Sequence, residues 1–237
     1  MNGRRLIRKL TASKHIIKAE AQPSFSQAGE DMIVNFLFQQ LRMGQPGYLD
    51  IGTNLPAKGN NTYFFYNKGC KGVCIEPDPE LYVLVKKERP RDVVLNMGIG
   101  LAEETSATLY IYPHPYTGWN TFSKQEAIQR EKDSGIKVKE EKQLPLRTIN
   151  SIIEKYFNPW PNFISIDVEG LDLAILKTLD FSRYKPEVIC AETVKFNPDK
   201  PQEKVGEIGS FLESKGYFVF ADTFINTIFC RKDVYNQ

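Results

Sequence analysis

YLDIGTNLPAKGNNTYFFYNKGCKGVCIEPDP, residues 48–79, contains two short apolar runs separated by a polar segment. A short apolar run opens it at 48–51, and a second apolar run, GVCI, follows at 72–75. Glycine, asparagine and proline interrupt the chain after the first run, and residues 62–66 can open a helix between the two. Strand, helix and strand in this order form the unit of a parallel sheet. The stretch therefore predicts an α/β protein.

The rest of the chain continues this alternation of helices and strands. Helices are predicted over 29–41, 79–87, 146–156, 171–179 and 205–215, and strands over 93–95, 107–112, 163–166, 188–191, 217–221 and 227–230. The last two strands predict a C-terminal antiparallel hairpin beside a mostly parallel sheet with helices on both faces. Residues 124–143 form the most polar region, which is expected to be a solvated excursion, either a lid over the site or a plain surface loop.

Composition excludes several classes of protein. The 237 residues are 41% hydrophobic and 25% charged, which is typical of a soluble globular protein. The 31 basic and 29 acidic residues leave a net charge of +2, so nucleic-acid binding is disfavoured. Four cysteines form no C-x-x-C pair and are expected to be reduced core thiols in a cytoplasmic protein. No apolar run is long enough to predict a membrane span or a signal peptide.

The first 22 residues differ from the rest and are predicted to form a basic N-terminal extension, with one domain over 23–237. Six basic residues are interleaved with leucine and isoleucine in residues 1–20. Such a segment can contact an anionic membrane surface, at the inner face of the membrane, or a partner domain. The alternatives are a helix packed on the domain and a frayed tail.

Three predicted core strands end in acidic residues, namely Asp50, Glu76 and Asp167. Ligands of parallel α/β sheets bind at the carboxyl ends of the strands, so these carboxylates are expected to face one crevice. Glu76 follows Asp50 by 26 residues (76 − 50). This separation is close to the roughly 20 residues that lie between a nucleotide-binding turn and the acidic residue that binds a ribose diol. The alternatives are a solvent-facing charge at Glu76 and a helix cap at Asp50.

The loop after the first strand, GTNLPAKGN at 52–60, distinguishes between cofactors. It lacks the G-x-G-x-x-G spacing with which dinucleotide enzymes surround a pyrophosphate. A cofactor without phosphates, such as S-adenosylmethionine, needs only a tight turn with small or polar neighbours. The loop therefore favours such a cofactor over a nicotinamide dinucleotide.

The sequence resembles a known family, the FkbM-type methyltransferases. The matching segments are FSQAGED at 25–31, YLDIGTN at 48–54, NNTYFFYNKGCKGVCIEPDP at 60–79, NMGIG at 96–100, FISIDVEGLDLAILKTLDF at 163–181 and KPEVICAET at 185–193. The resemblance implies a Rossmann-like class I methyltransferase fold and methyl transfer from S-adenosylmethionine, with S-adenosylhomocysteine as product. It also implies an acceptor hydroxyl on a sugar of a surface polysaccharide, a glycolipid or a glycosylated natural product. One departure is Leu55–Pro56, where many members have a further glycine.

By position, the resemblance assigns cofactor roles. Asp50, Gly52 and Asn54 would line the methionine end, Glu76 would bind the ribose, and Asn96 with Met97 would contact the adenine. Gln27, Glu30, Asp31 and Asp167 complete the expected cofactor set.

A neutral alcohol is a weak nucleophile and needs a base or a metal ion. Asp167, Glu169 and Glu192 are the candidates for the base or for orienting the acceptor, although one of them can instead be structural. Asp167 with Glu192 also offers oxygen ligands to a divalent cation such as Mg²⁺, a weak signal without a third ligand.

The loop YPHPYTGWNT, residues 112–121, supplies candidate substrate contacts. His114 can act as a base or contact the substrate, or it can simply be exposed. Trp119 and Asn120 can stack on and hydrogen-bond a sugar ring, and Trp119 can equally anchor the loop in the core.

Two other functions compete with sugar O-methylation. One is a nicotinamide-dependent oxidoreductase, which the missing phosphate fingerprint disfavours. The other is a methyltransferase-like binding module that has lost catalysis, which the retained Asp50, Glu76, Asp167 and Glu169 disfavour. An amino-group methyltransferase is disfavoured because IDVEG at 166–170 stands where such enzymes often have an Asn/Asp-Pro-Pro-aromatic motif.

Overall fold

The computed structural model of the chain describes residues 22–103, 105–195, 203–204 and 206–236. Most of the basic extension, residues 1–21, lies outside the described residues. Within the described residues, seven strands form the central sheet: β1 Tyr48–Ile51, β2 Gly72–Ile75, β3 Val93–Leu95, β7 Phe163–Ile166, β8 Val188–Glu192, β11 Tyr217–Asp222 and β12 Asn226–Arg231.

The sheet is ordered β11-β12-β8-β7-β1-β2-β3. Its pairs from β3 to β8 are parallel, whereas β12 pairs antiparallel with β8 and with β11. The predicted parallel sheet and C-terminal hairpin are therefore confirmed. The chain leaves β1 toward β2 on one side and returns to it through β7 on the other, and such a switch point opens a crevice at the carboxyl ends of the strands.

Helices cover both faces of this sheet, as predicted. They are α1 Glu30–Gln40, α2 Tyr63–Asn67, α3 Pro79–Glu88, α4 Lys124–Ser134, α5 Ile149–Tyr156, α6 Asp172–Thr178, α7 Gly206–Ser214 and α8 Lys232–Tyr235. Alternate residues of a strand point to opposite faces. Leu49 and Ile51 accordingly pack with α5, α6 and α7, while Tyr48 packs with α1, α2 and α3. None of the helices in the part of the chain that the structure describes is long and apolar enough to span a bilayer.

Two predictions about the middle of the chain were wrong, one of them in part. Residues 124–143 are largely solvent-exposed as predicted, but they are not a plain surface loop, because they contain all of α4 and the start of β6 (Glu140–Arg147). Only Ala127 of α4 is buried, so the segment has no apolar periodicity by which to recognise the helix. Leu146 and Arg147 are not helical, because they end β6, and α5 starts at Ile149 with the Thr148 hydroxyl as its cap.

A small second sheet lies beside the carboxyl edge of the central sheet. Its strands are β4 Gly98–Ile99, β5 Thr105–Ile111 and β6, in the order β4-β6-β5. A 3₁₀ turn at Thr117–Trp119 and α4 connect β5 to β6. We call residues 105–147 the insert, because they separate the two halves of the parallel sheet. A further pair, β9 Val194–Lys195 with β10 Glu203–Lys204, follows β8.

A buried arginine ties the first half of the sheet together. Arg89, just after α3, is fully buried. Its Nε donates to Asp92 over 2.8 Å, its Nη2 donates to the Thr62 hydroxyl over 2.9 Å, and its Nη1 lies 3.5 Å from the Asp50 carboxylate. Asp92 also accepts from the Tyr48 hydroxyl and from the backbone N–H of Gly72. One guanidinium therefore joins α3, β1, β2 and the loop between these strands.

Replacing this arginine should destabilise the chain strongly. Arg89→Met leaves two buried carboxylates without their cation, which typically costs about 3–5 kcal/mol of unfolding free energy. Urea denaturation followed by tryptophan fluorescence measures the change. The matched control is Arg183→Met, because the Arg183 side chain is 58% exposed and pairs with an exposed Glu154. Equal denaturation midpoints for the two variants would contradict the role of Arg89.

Candidate functional site

A cleft lies at the switch point of the central sheet. It encloses about 880 Å³, a volume that includes the solvent at its open mouth. The central sheet lines its floor at the ends of β1, β2, β7 and β8, and the insert lines the opposite side. Of the predicted site residues, Gln27, Gly52, Asn54, Glu76, Met97, Asn120, Asp167, Glu169 and Glu192 line the cleft.

Glu76, the first residue after β2, lies buried in the cleft wall. One carboxylate oxygen accepts from the backbone N–H of Asn54 over 2.6 Å, and the other accepts from that of Asp78 over 2.8 Å. Burial raises the pKa of this carboxyl from 4.5 to about 8. The two backbone N–H donors oppose this rise, and the neighbouring carboxyl groups of Asp78 and Asp50 add to it. The side chain is therefore fixed in place, with lone pairs still free for a ligand's hydroxyl groups.

The backbone of the turn after β1 explains why glycine and asparagine stand at residues 52 and 54. Gly52 has φ +82°, and a Cβ there would lie 1.9 Å from the Asp167 carbonyl oxygen, so a larger residue would push β1 and β7 apart. Asn54 has φ +54°, a conformation that asparagine tolerates better than most residues. Its Oδ1 is buried and has no hydrogen-bond partner within the described chain. A buried acceptor of this kind is satisfied when a ligand donates to it.

The wall beside Glu76 is apolar and is formed by Leu81, Met97, Ile99, Leu109 and Phe122. Met97 thus lines the cleft, whereas its predicted companion Asn96 does not. The Asn96 amide donates to the carbonyls of Glu76 and Pro77 over 2.9 and 2.8 Å and so braces the turn behind Glu76. The cleft therefore has an apolar wall next to a buried carboxyl group.

Three predicted cofactor residues lie behind the cleft. The Asp50 carboxylate accepts from Asn60 and Thr62 over 3.0 and 2.8 Å, on the side of Arg89. Glu30 accepts from Thr223 and Asn226 and so joins α1 to the C-terminal hairpin. Asp31 accepts from the backbone N–H of Phe25 and the hydroxyl of Ser24. In this structure these contacts hold the surroundings of the cleft in place.

The other end of the cleft carries three carboxylates. Burial is the main cause that raises the pKa of Asp167 well above its ordinary value, and the neighbouring Glu192 and Glu169 add to it. Burial, with Glu169 and Asp172 nearby, raises the pKa of Glu192 to about 8, and Arg130 and a hydrogen bond with Asp167 partly offset this rise. Burial also raises the pKa of Glu169, although Arg130 opposes this. Asp167 and Glu192 therefore form a hydrogen-bonded pair that retains a proton near neutral pH.

Arg130 is a functional residue that the sequence did not single out. It comes from α4, and its Nη2 donates to Glu169 over 2.5 Å while its Nη1 donates to the Trp119 carbonyl over the same distance. Glu169 has φ +55° in the tight turn after β7, where Asp172 accepts from the backbone N–H groups of Val168 and Gly170. Arg130 thus joins the insert to the end of the cleft that carries the three acidic residues.

The substrate loop is divided between the cleft and the surface. Asn120 lines the cleft, and its amide donates to Asp78 over 2.9 Å. Trp119 packs against Tyr112 and Tyr116, with ring centroids 5.9 and 4.8 Å apart, and is not among the cleft-lining residues. His114 is exposed and also lies outside the lining.

A metal site is not supported. Within the described ranges, no three His, Cys, Asp or Glu side chains are grouped so that they could hold a metal ion. The predicted pair of Asp167 and Glu192 therefore has no third such ligand beside it among these residues.

Comparison with known proteins agrees with this geometry. A family profile described as the methyltransferase FkbM domain matches residues 50–219. No curated protein matches the sequence. Among solved structures, the chain is similar to an O-methyltransferase from Bacillus cereus in complex with SAH (13% identity, 94% of this chain and 87% of that chain covered, TM-score 0.42). It is also similar to a TehB-like SAM-dependent methyltransferase from Corynebacterium glutamicum (11% identity, 94% and 97% covered, TM-score 0.44). These scores are too low to bear on the reaction.

The carboxylate cluster should make stability depend on pH. The folded chain holds the Glu192 proton up to about pH 8, whereas an unfolded glutamate releases it near pH 4. The unfolded state binds fewer protons between these values, so the group's contribution to stability is lost as the pH rises through about 8. Glu192→Gln should therefore melt higher than the wild type at pH 9, by at least about 2–4 °C, equivalent to about 1 kcal/mol.

Differential scanning calorimetry at pH 5 and pH 9 measures this difference. The gain should be small at pH 5, where the wild-type side chain is itself neutral. Glu154→Gln is the control, because Glu154 is exposed and lies away from the cleft. A gain that is the same at both pH values, or one shared by Glu154→Gln, would show that the Glu192 charge is not the cause.

Proposed function

The chain belongs to the FkbM family of S-adenosylmethionine-dependent methyltransferases, and on this basis we propose that it methylates a hydroxyl of a sugar or glycan. The observation that carries the proposal is that one cleft combines two different ends. Glu76 and the apolar wall beside it lie at one end. Asp167 and Glu192, a pair of carboxyl groups that retains a proton near neutral pH, lie at the other. The first end suits a nucleoside, and the second suits an acceptor that must lose a proton.

The residues of the donor end fit S-adenosylmethionine. Glu76 would accept hydrogen bonds from the two ribose hydroxyls, and Met97 would pack on the adenine. The unpartnered Asn54 Oδ1 would accept from the ammonium group of the methionine part. The sulfonium of the bound cofactor supplies an electrophilic methyl group to the acceptor oxygen. Among the described residues that line the cleft, four are carboxylates and none is Lys, Arg or His, which suits a cationic cofactor.

The carboxylate pair would take the proton of the acceptor. Methyl transfer would form a C–O bond and break the methyl–sulfur bond of the donor, which would leave as S-adenosylhomocysteine. The hydroxyl would lose its proton, and its oxygen must lie in line behind the methyl carbon. Glu192 has a pKa of about 8, close to the working pH, which is where a general base is most effective. Asp167 would hold Glu192 in position through their shared hydrogen bond. The proton would then pass to solvent through the mouth of the cleft.

The insert provides the acceptor side of the cleft. Thr117, Asn120 and Thr121 line it with hydroxyl and amide groups, which can donate to and accept from a polyol. The insert also covers the reacting end and limits access of water. Two ion pairs link it to the central domain, Arg130–Glu169 at the reacting end and Lys139–Glu80 at the rim.

The first test concerns the cofactor. Glu76→Ala removes the acceptor of both ribose hydroxyls, and each charge-assisted hydrogen bond is worth about 1.5–3 kcal/mol. The affinity for S-adenosylhomocysteine, measured by isothermal titration calorimetry, should fall at least about 100-fold. Glu80→Ala is the matched control, because this glutamate is 77% exposed and only four residues away. Unchanged binding by Glu76→Ala would move the nucleoside to a different site.

The second test concerns the reaction. The chain is incubated with S-adenosylmethionine that carries a labelled methyl group and with neutral methyl glycosides, oligosaccharides and amino sugars. Labelled products are then located by mass spectrometry. Glu192→Gln should lower kcat by about 10²–10⁴, the usual contribution of a general base, while it leaves S-adenosylhomocysteine binding within a few fold. Label on nitrogen alone, or full activity of Glu192→Gln, would contradict the proposed hydroxyl chemistry.

A further inference from the structure

The charges around the acceptor end bear on which sugars can enter it. Asp167, Glu169 and Glu192 all lie at this end, and no described residue that lines the cleft carries a basic side chain. Arg130 is the cation that forms an ion pair with a carboxylate of this end. Both of its terminal nitrogens already have hydrogen-bond partners, since Nη2 donates to Glu169 and Nη1 donates to the Trp119 carbonyl.

We propose that the acceptor is uncharged near its reacting hydroxyl, so that phosphorylated sugars, uronic acids and nucleotide-activated sugars are rejected. This inference rests on the proposed function and adds a charge requirement to it. A phosphate or carboxylate on the same ring would enter a partly buried end that is lined by acidic groups, where Arg130 is already paired with Glu169. Such an anion would lose its hydration without gaining a cation as a partner, which is costly in a buried site.

An anionic acceptor would also disable the base. A negative charge close to the Asp167–Glu192 pair favours the protonated form of both carboxyls. A fully protonated pair cannot accept the proton that the hydroxyl must lose. Binding and chemistry would therefore both suffer, and the loss in kcat/KM should exceed the loss in affinity alone.

This charge requirement places the reaction in a sequence of steps. Nucleotide-activated sugars carry a diphosphate directly on the ring, which puts negative charge within one ring's width of every hydroxyl. A neutral acceptor is instead a glycosyl residue from which the nucleotide has already been released. The class of reaction that supplies the substrate is therefore glycosyl transfer, and methylation follows it.

The test compares acceptors that share a sugar ring and differ in the charge that they carry. Methyl glucoside, its 6-phosphate, methyl glucuronoside and the uridine diphosphate form of glucose are assayed with the full chain, as are the galactose and mannose series. In each series the neutral member should have a kcat/KM at least tenfold higher than its anionic counterparts. An anionic member that is methylated as well as or better than the neutral one would overturn the proposal.

Two substitutions with opposite expected effects distinguish a change in charge preference from a general loss of activity. Glu169→Gln removes one carboxylate and frees Arg130, so the ratio of neutral to anionic kcat/KM should fall at least threefold. Arg130→Met leaves Glu169 unpaired, so the ratio should rise. Both variants are expected to lower the absolute rates, and only the ratio is compared. If both change the rates and leave the ratio constant, the pair is merely structural and the proposal fails.

Binding provides a readout that does not depend on turnover. If no acceptor is methylated although S-adenosylhomocysteine binds, the same pairs are titrated into the S-adenosylhomocysteine-loaded protein by calorimetry. Tighter binding of the neutral members supports the proposal, and equal binding of both members overturns it. Failure of S-adenosylhomocysteine itself to bind would instead overturn the proposed function.

Discussion

The site depends on the buried guanidinium of Arg89. It lies between Asp50 and Asp92 and also donates to Asn60 over 3.2 Å. The Asn60 amide in turn donates to the carbonyl of Thr53 over 3.1 Å, next to the residue whose N–H fixes Glu76. The Arg89 guanidinium thus fixes, through Asn60, the path of the loop between β1 and α2. Such a buried pair contributes little net stability when complete, but it specifies one arrangement of the loop.

Much of the fold could be predicted because the parallel strands are short apolar runs. Strands buried on both faces have no polar alternation, and GVCI and FISI show this clearly. The insert could not be predicted in the same way. Helix α4 is polar on nearly all sides, and β6 mixes charged residues with leucines, so neither has a recognisable period. Their fold depends on contacts with the rest of the domain rather than on local pattern.

The site itself could be predicted in part. The rule that ligands bind at the ends of parallel strands identified Glu76, Asp167 and Glu192, which line the cleft. The same rule places Asp50 in the cleft, but Asp50 lies inside β1 and alternation turns its side chain toward Arg89. Arg130 was missed because it reaches Glu169 across 39 residues of sequence. No local motif marks an ion pair between an insert and a distant turn.

The proposed function requires Glu76 to bind the ribose of the methyl donor and the Asp167–Glu192 pair to face the methyl-accepting oxygen. A crystal structure of the chain with S-adenosylhomocysteine tests both requirements at once. We expect both ribose hydroxyls within hydrogen-bond distance of Glu76 and the sulfur directed toward Asp167 and Glu192. A nucleoside bound elsewhere, or a sulfur directed away from these carboxylates, would contradict it.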